Sequence, residues 1–106
     1  MQKVDSANFT TFVEGAAEPV VLDFGATWCG PCKRLEPVLE ELAGELTGKV
    51  AFGKVDIDHS PEVAQRFGIM AVPTVLFFKS GQVVHKFSGV EAKAKIAGMM
   101  TQHFGI

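Results

Sequence analysis

The chain contains two cysteines, Cys29 and Cys32, which are separated only by Gly30 and Pro31. A disulfide between two residues at this spacing contributes roughly 2 kcal/mol in the loop-entropy model, against roughly 3 kcal/mol for a fifteen-residue loop. Because so short a ring adds little to the stability of a fold, the spacing favours a redox-active pair over a structural one.

Thiol–disulfide exchange needs one thiolate that attacks and a second thiol that resolves the mixed disulfide. We expect Cys29 at or just before the start of a helix, where free backbone N–H groups and the positive end of the helix dipole favour the anion. Cys32 follows one turn later and is expected to be more interior, which suits the resolving thiol. Trp28 can cover one side of the pair, and Pro31 fits the first helical turn.

Asp23 is a carboxylate in the middle of an otherwise apolar run, Pro19–Phe24. An unpaired buried carboxylate is costly, so we expect a raised pKa and a partner, for which Lys54 is the candidate. A group that titrates near neutrality beneath a thiol pair can accept the proton of the resolving cysteine. The alternative is a structural polar group, or a residue turned to solvent at an edge strand.

The bulk composition limits the classes of function. With 106 residues the chain supports one core, and we expect a single domain over residues 1–106. The net charge of −2, without a basic run, argues against nucleic-acid binding. No apolar run approaches the ~18 residues of a membrane span, and no signal-peptide stretch is recognisable. The expected location is therefore cytoplasmic, where a vicinal cysteine pair points to redox chemistry.

Strand-like and helix-like segments alternate along the chain, which predicts an α/β fold with a partly parallel sheet. The last two predicted strands are joined by Ser80-Gly81 and should form an antiparallel hairpin. The predicted strands lie near Lys3–Asp5 and at Pro19–Phe24, Val50–Ile57, Pro73–Lys79 and Gln82–Ser88. The predicted helices are Ser6–Glu14 with Ser6 as cap, Pro31–Thr47, Pro61–Gly68 after a Ser60 cap, and Val90–Phe104.

These residues together resemble the thioredoxin family. The segment Trp28-Cys29-Gly30-Pro31-Cys32-Lys33 is similar to the active-site motif of the family without a change. The order and spacing of further features agree over essentially the whole chain. They are the buried aspartate segment Val21–Phe24, a proline inside the long helix at Pro37, Lys54, the segment Val72-Pro73-Thr74 and the glycine loop Ser88-Gly89-Val90.

The resemblance implies a thioredoxin fold, with a central mixed sheet of five strands flanked by four helices. It implies that Cys29 is the nucleophile, Cys32 the resolving thiol and Asp23 the buried base, with Lys54 beside it. It also implies a cis Pro73 that faces the cysteines. The residues expected to contact substrate are Trp28, Gly30, Pro31, Met70, Ala71, Val72, Pro73, Gly89 and Val90.

The same resemblance implies a dithiol reductase of protein disulfides that needs no cofactor beyond the Cys29–Cys32 disulfide. Its expected partners are disulfide-containing target proteins and a thioredoxin reductase that restores the dithiol. We expect a monomer, with no nucleic-acid or membrane partner and no metal.

Two positions depart from the family pattern. Gly25 stands where many members carry a bulky aromatic residue, which should leave the floor of the site more open. Met70 occupies a variable and often polar position, where it would extend an apolar docking surface formed with Trp28, Pro31, Val72 and Val90. Neither change removes a catalytic group.

Three other functions stay open at this point. An oxidant or isomerase could use the same fold and the same cysteines. A binding module could use the surface around Trp28 and Met70 without turnover. A metal site is the weaker alternative, because the single Cys-x-x-Cys pair lacks a second pair of ligands at suitable spacing and has only His59, His85 and His103 as further candidates.

Overall fold

Five strands form one mixed sheet in the computed structural model, which describes all 106 residues. They are β1 (Gln2–Lys3), β2 (Val20–Gly25), β3 (Ala51–Asp56), β4 (Thr74–Lys79) and β5 (Gln82–Ser88). Their spatial order is β1-β3-β2-β4-β5. β1, β3 and β2 are parallel to one another, whereas β4 is antiparallel to both β2 and β5. The expected α/β fold with a five-stranded mixed sheet is therefore confirmed.

Four helices connect and flank these strands. They are a short π-helix (Thr10–Glu14), α1 (Gly30–Glu45), α2 (Pro61–Arg66) and α3 (Lys93–Phe104). Pro31 and Pro61 lie in the first turns of α1 and α2, where a missing N–H removes no helical hydrogen bond. None of the four helices has the length and apolar character needed to cross a membrane.

The turn before the π-helix is capped by Asp5 and not by Ser6. Asp5 Oδ1 accepts the backbone N–H groups of Ala7 at 2.9 Å and Asn8 at 3.1 Å. Asn8 Oδ1 in return accepts the N–H of Asp5 at 2.8 Å. The Ser6 hydroxyl instead donates to Glu62. The predicted Ser6 cap is wrong because a carboxylate one residue earlier makes the same reciprocal cap with Asn8.

The central strand β2 is buried on both faces of the sheet. Leu22 and Phe24 pack in the cluster that includes the π-helix and α2, whereas Val21 packs with α1 and α3. Because side chains alternate along a strand, Asp23 and Gly25 share the face of Val21. β2 therefore directs Asp23 toward the helix whose N-terminus carries the cysteines.

A two-residue turn joins β4 to β5 and returns the chain to the site. Ser80 and Gly81 both have positive φ, 53° and 76°. A turn with this backbone matches the twist of a hairpin, and the predicted antiparallel hairpin is confirmed. At its open end the N–H of Gly89 donates to the carbonyl of Pro73 at 2.9 Å, so the loop after β5 lies beside the start of β4.

Gly53 in β3 leaves no room for a side chain, which gives a prediction for stability. A Cβ at this position would lie 2.7 Å from Phe12 Cε1 and 2.7 Å from Val4 Cγ2. We expect Gly53→Ala to lower the free energy of unfolding by about 1–3 kcal/mol, because overpacking displaces these neighbours. Urea denaturation followed by circular dichroism measures the change.

Gly44 supplies the matched control, since it lies on the exposed side of α1 with no atom within 4 Å of an added Cβ. Gly44→Ala should raise the free energy of unfolding by about 0.5–1 kcal/mol through helix propensity. Equal effects of the two substitutions would contradict the crowding at Gly53.

Candidate active site

Cys29 and Cys32 form a disulfide at the N-terminus of α1, with 5.3 Å between their Cα atoms. Cys29 is the N-cap residue, and its Sγ accepts the backbone N–H of Cys32 at 3.2 Å. Gly30 and Pro31 form the first turn between them. One of the free N–H groups of the helix therefore points at the Cys29 sulfur, where it favours negative charge.

The two cysteines are equally buried and differ in their neighbours. Cys29 is 5% exposed and Cys32 is 7% exposed, so the expectation that Cys32 is the more interior is wrong. Cys29 Sγ lies 3.8 Å from the carbonyl oxygen of Val72. Cys32 instead lines a cavity together with Asp23. The two sulfurs therefore differ in what they face: Cys29 faces the Val72 segment, and Cys32 faces the cavity.

That cavity has a volume of about 510 Å³, and its lining includes Asp23, Gly25, Cys32, Glu36 and Lys54. A Cβ on Gly25 would lie 3.3 Å from Cys32 Sγ, which is tighter than ordinary van der Waals contact. A large side chain at this position would cover the sulfur and occupy the space beside it. The structure thus agrees with the expectation that glycine opens the floor of the site.

Asp23 is a buried carboxyl group without a direct partner. It is 5% exposed, and its Oδ1 has no hydrogen-bond partner in the protein. Burial raises the pKa of Asp23 from 3.8 to about 7; repulsion from Glu36 adds to the rise, and the charge of Lys54 opposes it. Asp23 therefore changes its charge near neutral pH, where thiol–disulfide exchange needs a proton acceptor.

Lys54 pairs with Glu36, not with Asp23. Lys54 Nζ donates to Glu36 Oε1 at 2.7 Å, and this hydrogen bond raises the pKa of Lys54. Lys54 is adjacent to Asp23 in the β2–β3 register, but its side chain reaches across to α1. The expectation that Asp23 finds its partner in Lys54 is therefore wrong as a direct contact, although the charge of Lys54 still acts on Asp23.

Glu36 is a site residue that sequence reasoning did not single out. It lies four residues after Cys32 on α1, a spacing that places both side chains on one face of a helix. That spacing, together with a lysine on the neighbouring strand, is the signal that could have identified it. Glu36 is the group through which Lys54 is held at the cavity.

Three large apolar side chains are exposed around the cysteines: Trp28 (67%), Met70 (96%) and Val90 (42%), here called the apolar rim. Trp28 Nε1 donates to Asp58 Oδ2 at 2.7 Å, which fixes the indole at the edge of the site. Asp58 was not singled out either, because only the fold brings the turn after β3 to Trp28. Exposed apolar groups that cluster at a reactive centre are typical of a docking surface.

The segment before β4 forms the opposite wall of the site. The peptide bond between Val72 and Pro73 is cis. Val72 is half-buried and packs against the small cluster of Ala26, Cys29 and Cys32, whereas Ala71 is exposed. The Pro73 segment therefore faces the cysteines, as the family resemblance implies.

The histidines do not converge on the cysteines. His59 lines the cavity, while His85 and His103 stack on each other with ring centroids 4.3 Å apart, on β5 and α3. No three or more His, Cys, Asp or Glu side chains are grouped so that they could hold a metal ion.

Comparisons with known proteins agree with this geometry. The Thioredoxin family model matches residues 1–102. A thioredoxin of Mycobacterium tuberculosis is 45% identical over 94 residues, which cover 89% of this chain and 81% of that protein. Thioredoxins of Staphylococcus haemolyticus and Staphylococcus aureus are 42% and 43% identical, each over 101 residues and 95% of both chains. With its disulfide closed at the start of α1, the chain thus belongs to the thioredoxin family and is a thiol–disulfide oxidoreductase.

Proposed function

We propose that residues 1–106 act as one thioredoxin domain that reduces disulfides of target proteins, with Cys29 as the attacking thiol. The observation that carries the proposal is the position of Cys29 Sγ. It accepts an N–H from the start of α1 and lies 3.8 Å from the Val72 carbonyl, next to the apolar rim. The nucleophile is thus stabilised as a thiolate at the point where a target can dock.

In the first step the Cys29 thiolate attacks one sulfur of the target disulfide. A bond forms between Cys29 Sγ and that sulfur, and the other target sulfur leaves as a thiolate. The backbone of Val72 would pair with an extended target segment, and the apolar rim would cover its side chains. We assign the remaining docking contacts to Gly30, Pro31, Ala71, Pro73 and Gly89.

In the second step Cys32 releases the target. Asp23, which shares the cavity with Cys32, takes the thiol proton, and the Cys32 thiolate attacks Cys29 Sγ. The Cys29–Cys32 bond forms and the second target sulfur leaves as a thiolate. A carboxyl group with a pKa of about 7 suits this transfer because it can both accept and release a proton at neutral pH. Lys54 assists by opposing a further rise of that pKa.

Continued turnover requires a donor of two electrons that returns the disulfide to the dithiol. We propose a thioredoxin reductase as that donor and the cytoplasm as the compartment, acting on a monomer. Support comes from family membership and from the use of both cysteines in one exchange-competent pair.

The direction of the reaction can be decided by the reduction potential of the Cys29–Cys32 pair. Strongly oxidising pairs owe their potential to a greatly stabilised thiolate. Here Cys29 Sγ accepts one backbone N–H, and the ionisable group behind the pair is an acid, Asp23. We therefore expect a potential more negative than that of the glutathione couple, measured by equilibration with glutathione buffers and mass spectrometry after alkylation.

A potential well above that of glutathione would instead favour the oxidant or isomerase function. Such a result would leave the assignment of Cys29 and Cys32 intact and would overturn only the direction proposed here.

A further inference from the structure

The cavity beside Cys32 gives the disulfide a second approach, separate from the apolar rim. We propose that this cavity admits small aliphatic thiols and disulfides that carry a hydroxyl or amino group near the sulfur. These molecules would exchange directly with Cys32. The inference rests on the proposed function only in requiring the Cys29–Cys32 bond to be redox-active.

The first argument is space beside one sulfur only. The cavity, at about 510 Å³, has the size of a small-molecule site, and its lining includes Cys32 but not Cys29. Gly25 creates the opening, since a Cβ there would already approach Cys32 Sγ to 3.3 Å. A thiolate in this space would meet Cys32, with Cys29 as the leaving group.

The second argument is the Asp23 carboxyl group, which lines the same cavity and whose Oδ1 has no hydrogen-bond partner. Asp23 Oδ1 is buried without a hydrogen-bond partner, and Asp23 lies two residues before Gly25 on the same face of β2. A hydroxyl or ammonium group near the ligand sulfur could donate to the Asp23 carboxyl group while the sulfur lies against Cys32. A buried acceptor without a partner destabilises the protein, and a ligand that donates to this carboxyl group offsets that loss.

The charges around the cavity limit the net charge that a ligand can carry. The lining contains both acidic and basic side chains, so neither a polyanion nor a polycation is favoured. They are Asp5, Asp23, Glu36 and Asp56 against Lys3, Lys33 and Lys54. A small molecule that is neutral or carries a single ammonium group fits this balance best.

The exchange balances as an ordinary thiol–disulfide step. A small thiolate attacks Cys32 Sγ, a bond forms between these sulfurs, and the Cys29–Cys32 bond breaks to leave a Cys29 thiolate. A second small thiolate then attacks the ligand sulfur of the adduct, giving the small disulfide and the Cys32 thiolate. Two electrons pass from two thiols to the protein, without another reductant.

The test measures the reverse reaction, in which one free cysteine of the protein attacks a small disulfide. Cys29→Ser protein, with Cys32 free, and Cys32→Ser protein, with Cys29 free, are each mixed with bis(2-hydroxyethyl) disulfide. Mass spectrometry follows adduct formation with time. Gly25→Phe is then added to both backgrounds. We expect it to slow the reaction of Cys32 by about tenfold or more and that of Cys29 by less than about twofold, because the ring fills space beside only one sulfur.

A second experiment tests whether the Asp23 carboxyl group holds the ligand. In the Cys29→Ser background we compare bis(2-hydroxyethyl) disulfide with diethyl disulfide, before and after Asp23→Ala. The ratio of the two rates does not depend on how much Cys32 is ionised, because that fraction is common to both reactions. We expect Asp23→Ala to lower the ratio by about threefold to tenfold, the worth of one hydrogen bond.

Equal slowing of Cys29 and Cys32 by Gly25→Phe, or no slowing of Cys32, would overturn the proposed access. An unchanged ratio would overturn the role of Asp23 in holding the ligand. If Gly25→Phe fails to fold, Gly25→Ala gives a smaller slowing of the same selectivity, since its Cβ needs only a slight shift at Cys32. Protein-disulfide reduction is measured separately, so failure of the proposed function would be recognised by itself.

Discussion

Cys29→Ser should reduce the turnover of insulin disulfides by on the order of a thousandfold or more, because it removes the nucleophile itself. The Cys32→Ser protein should behave differently. Its Cys29 thiolate still attacks a target disulfide, but no second thiol resolves the mixed disulfide, so the protein stays attached to its target. Turnover is followed by insulin precipitation with dithiothreitol as the electron donor. The attached target is detected on non-reducing gels of reactions run without dithiothreitol, and treatment of the sample with dithiothreitol should release it.

The two variants are well matched in structure. The N–H that donates to Cys29 Sγ belongs to the backbone of residue 32, so it persists when Cys32 becomes serine. Serine at position 29 keeps an oxygen acceptor at the N-cap of α1. Neither substitution should therefore disturb the start of the helix. Full turnover by Cys29→Ser, or trapped targets on Cys29→Ser in place of Cys32→Ser, would contradict the assignment.

Asp23→Asn should stabilise the oxidised protein at about pH 8 by up to about 4 kcal/mol and should have almost no effect below about pH 4. Burial raises the pKa of this carboxyl from 3.8 to about 7. Between about pH 4 and pH 7 this carboxyl group is ionised in the unfolded chain but keeps its proton in the folded protein. The free energy of unfolding therefore decreases as pH rises through this window, and asparagine removes the decrease.

Urea unfolding of both proteins across this pH range measures the effect, and the acidic end is an internal control. Curves that stay parallel from acid to alkaline pH would contradict the unpaired, buried state of Asp23. A kinetic measurement separates its role in catalysis from its role in stability. Asp23→Asn should slow the release of a trapped target by Cys32 more than it slows the initial attack by Cys29, since only release needs the proton acceptor.

Much of the fold was predictable because local patterns determine it. The apolar run around Val21 indicated a strand buried on both faces, and the period of leucines after Cys32 indicated the long helix α1. Ser80-Gly81 indicated the hairpin. The cysteine pair was predictable for the same reason, as its chemistry depends on residues that are neighbours in the chain.

The contacts that could not be predicted are those in which one side chain has two possible partners. Lys54 could reach Asp23 or Glu36, and only the packing of α1 against β3 decides for Glu36. The equal burial of Cys29 and Cys32 likewise depends on the Val72 segment, which comes from a distant part of the chain. Sequence spacing gives the face of an element, but not which of two nearby charges a flexible side chain will meet.

The position of Asp23 on β2 has a consequence for the heat resistance of this protein. The strand that anchors both apolar cores also carries a carboxylate that weakens the fold at neutral pH. Selection for heat resistance alone would therefore favour loss of this residue, because neutral replacements at Asp23 leave the cores untouched. At neutral and alkaline pH this protein should therefore unfold at a lower temperature than a variant with asparagine at this position.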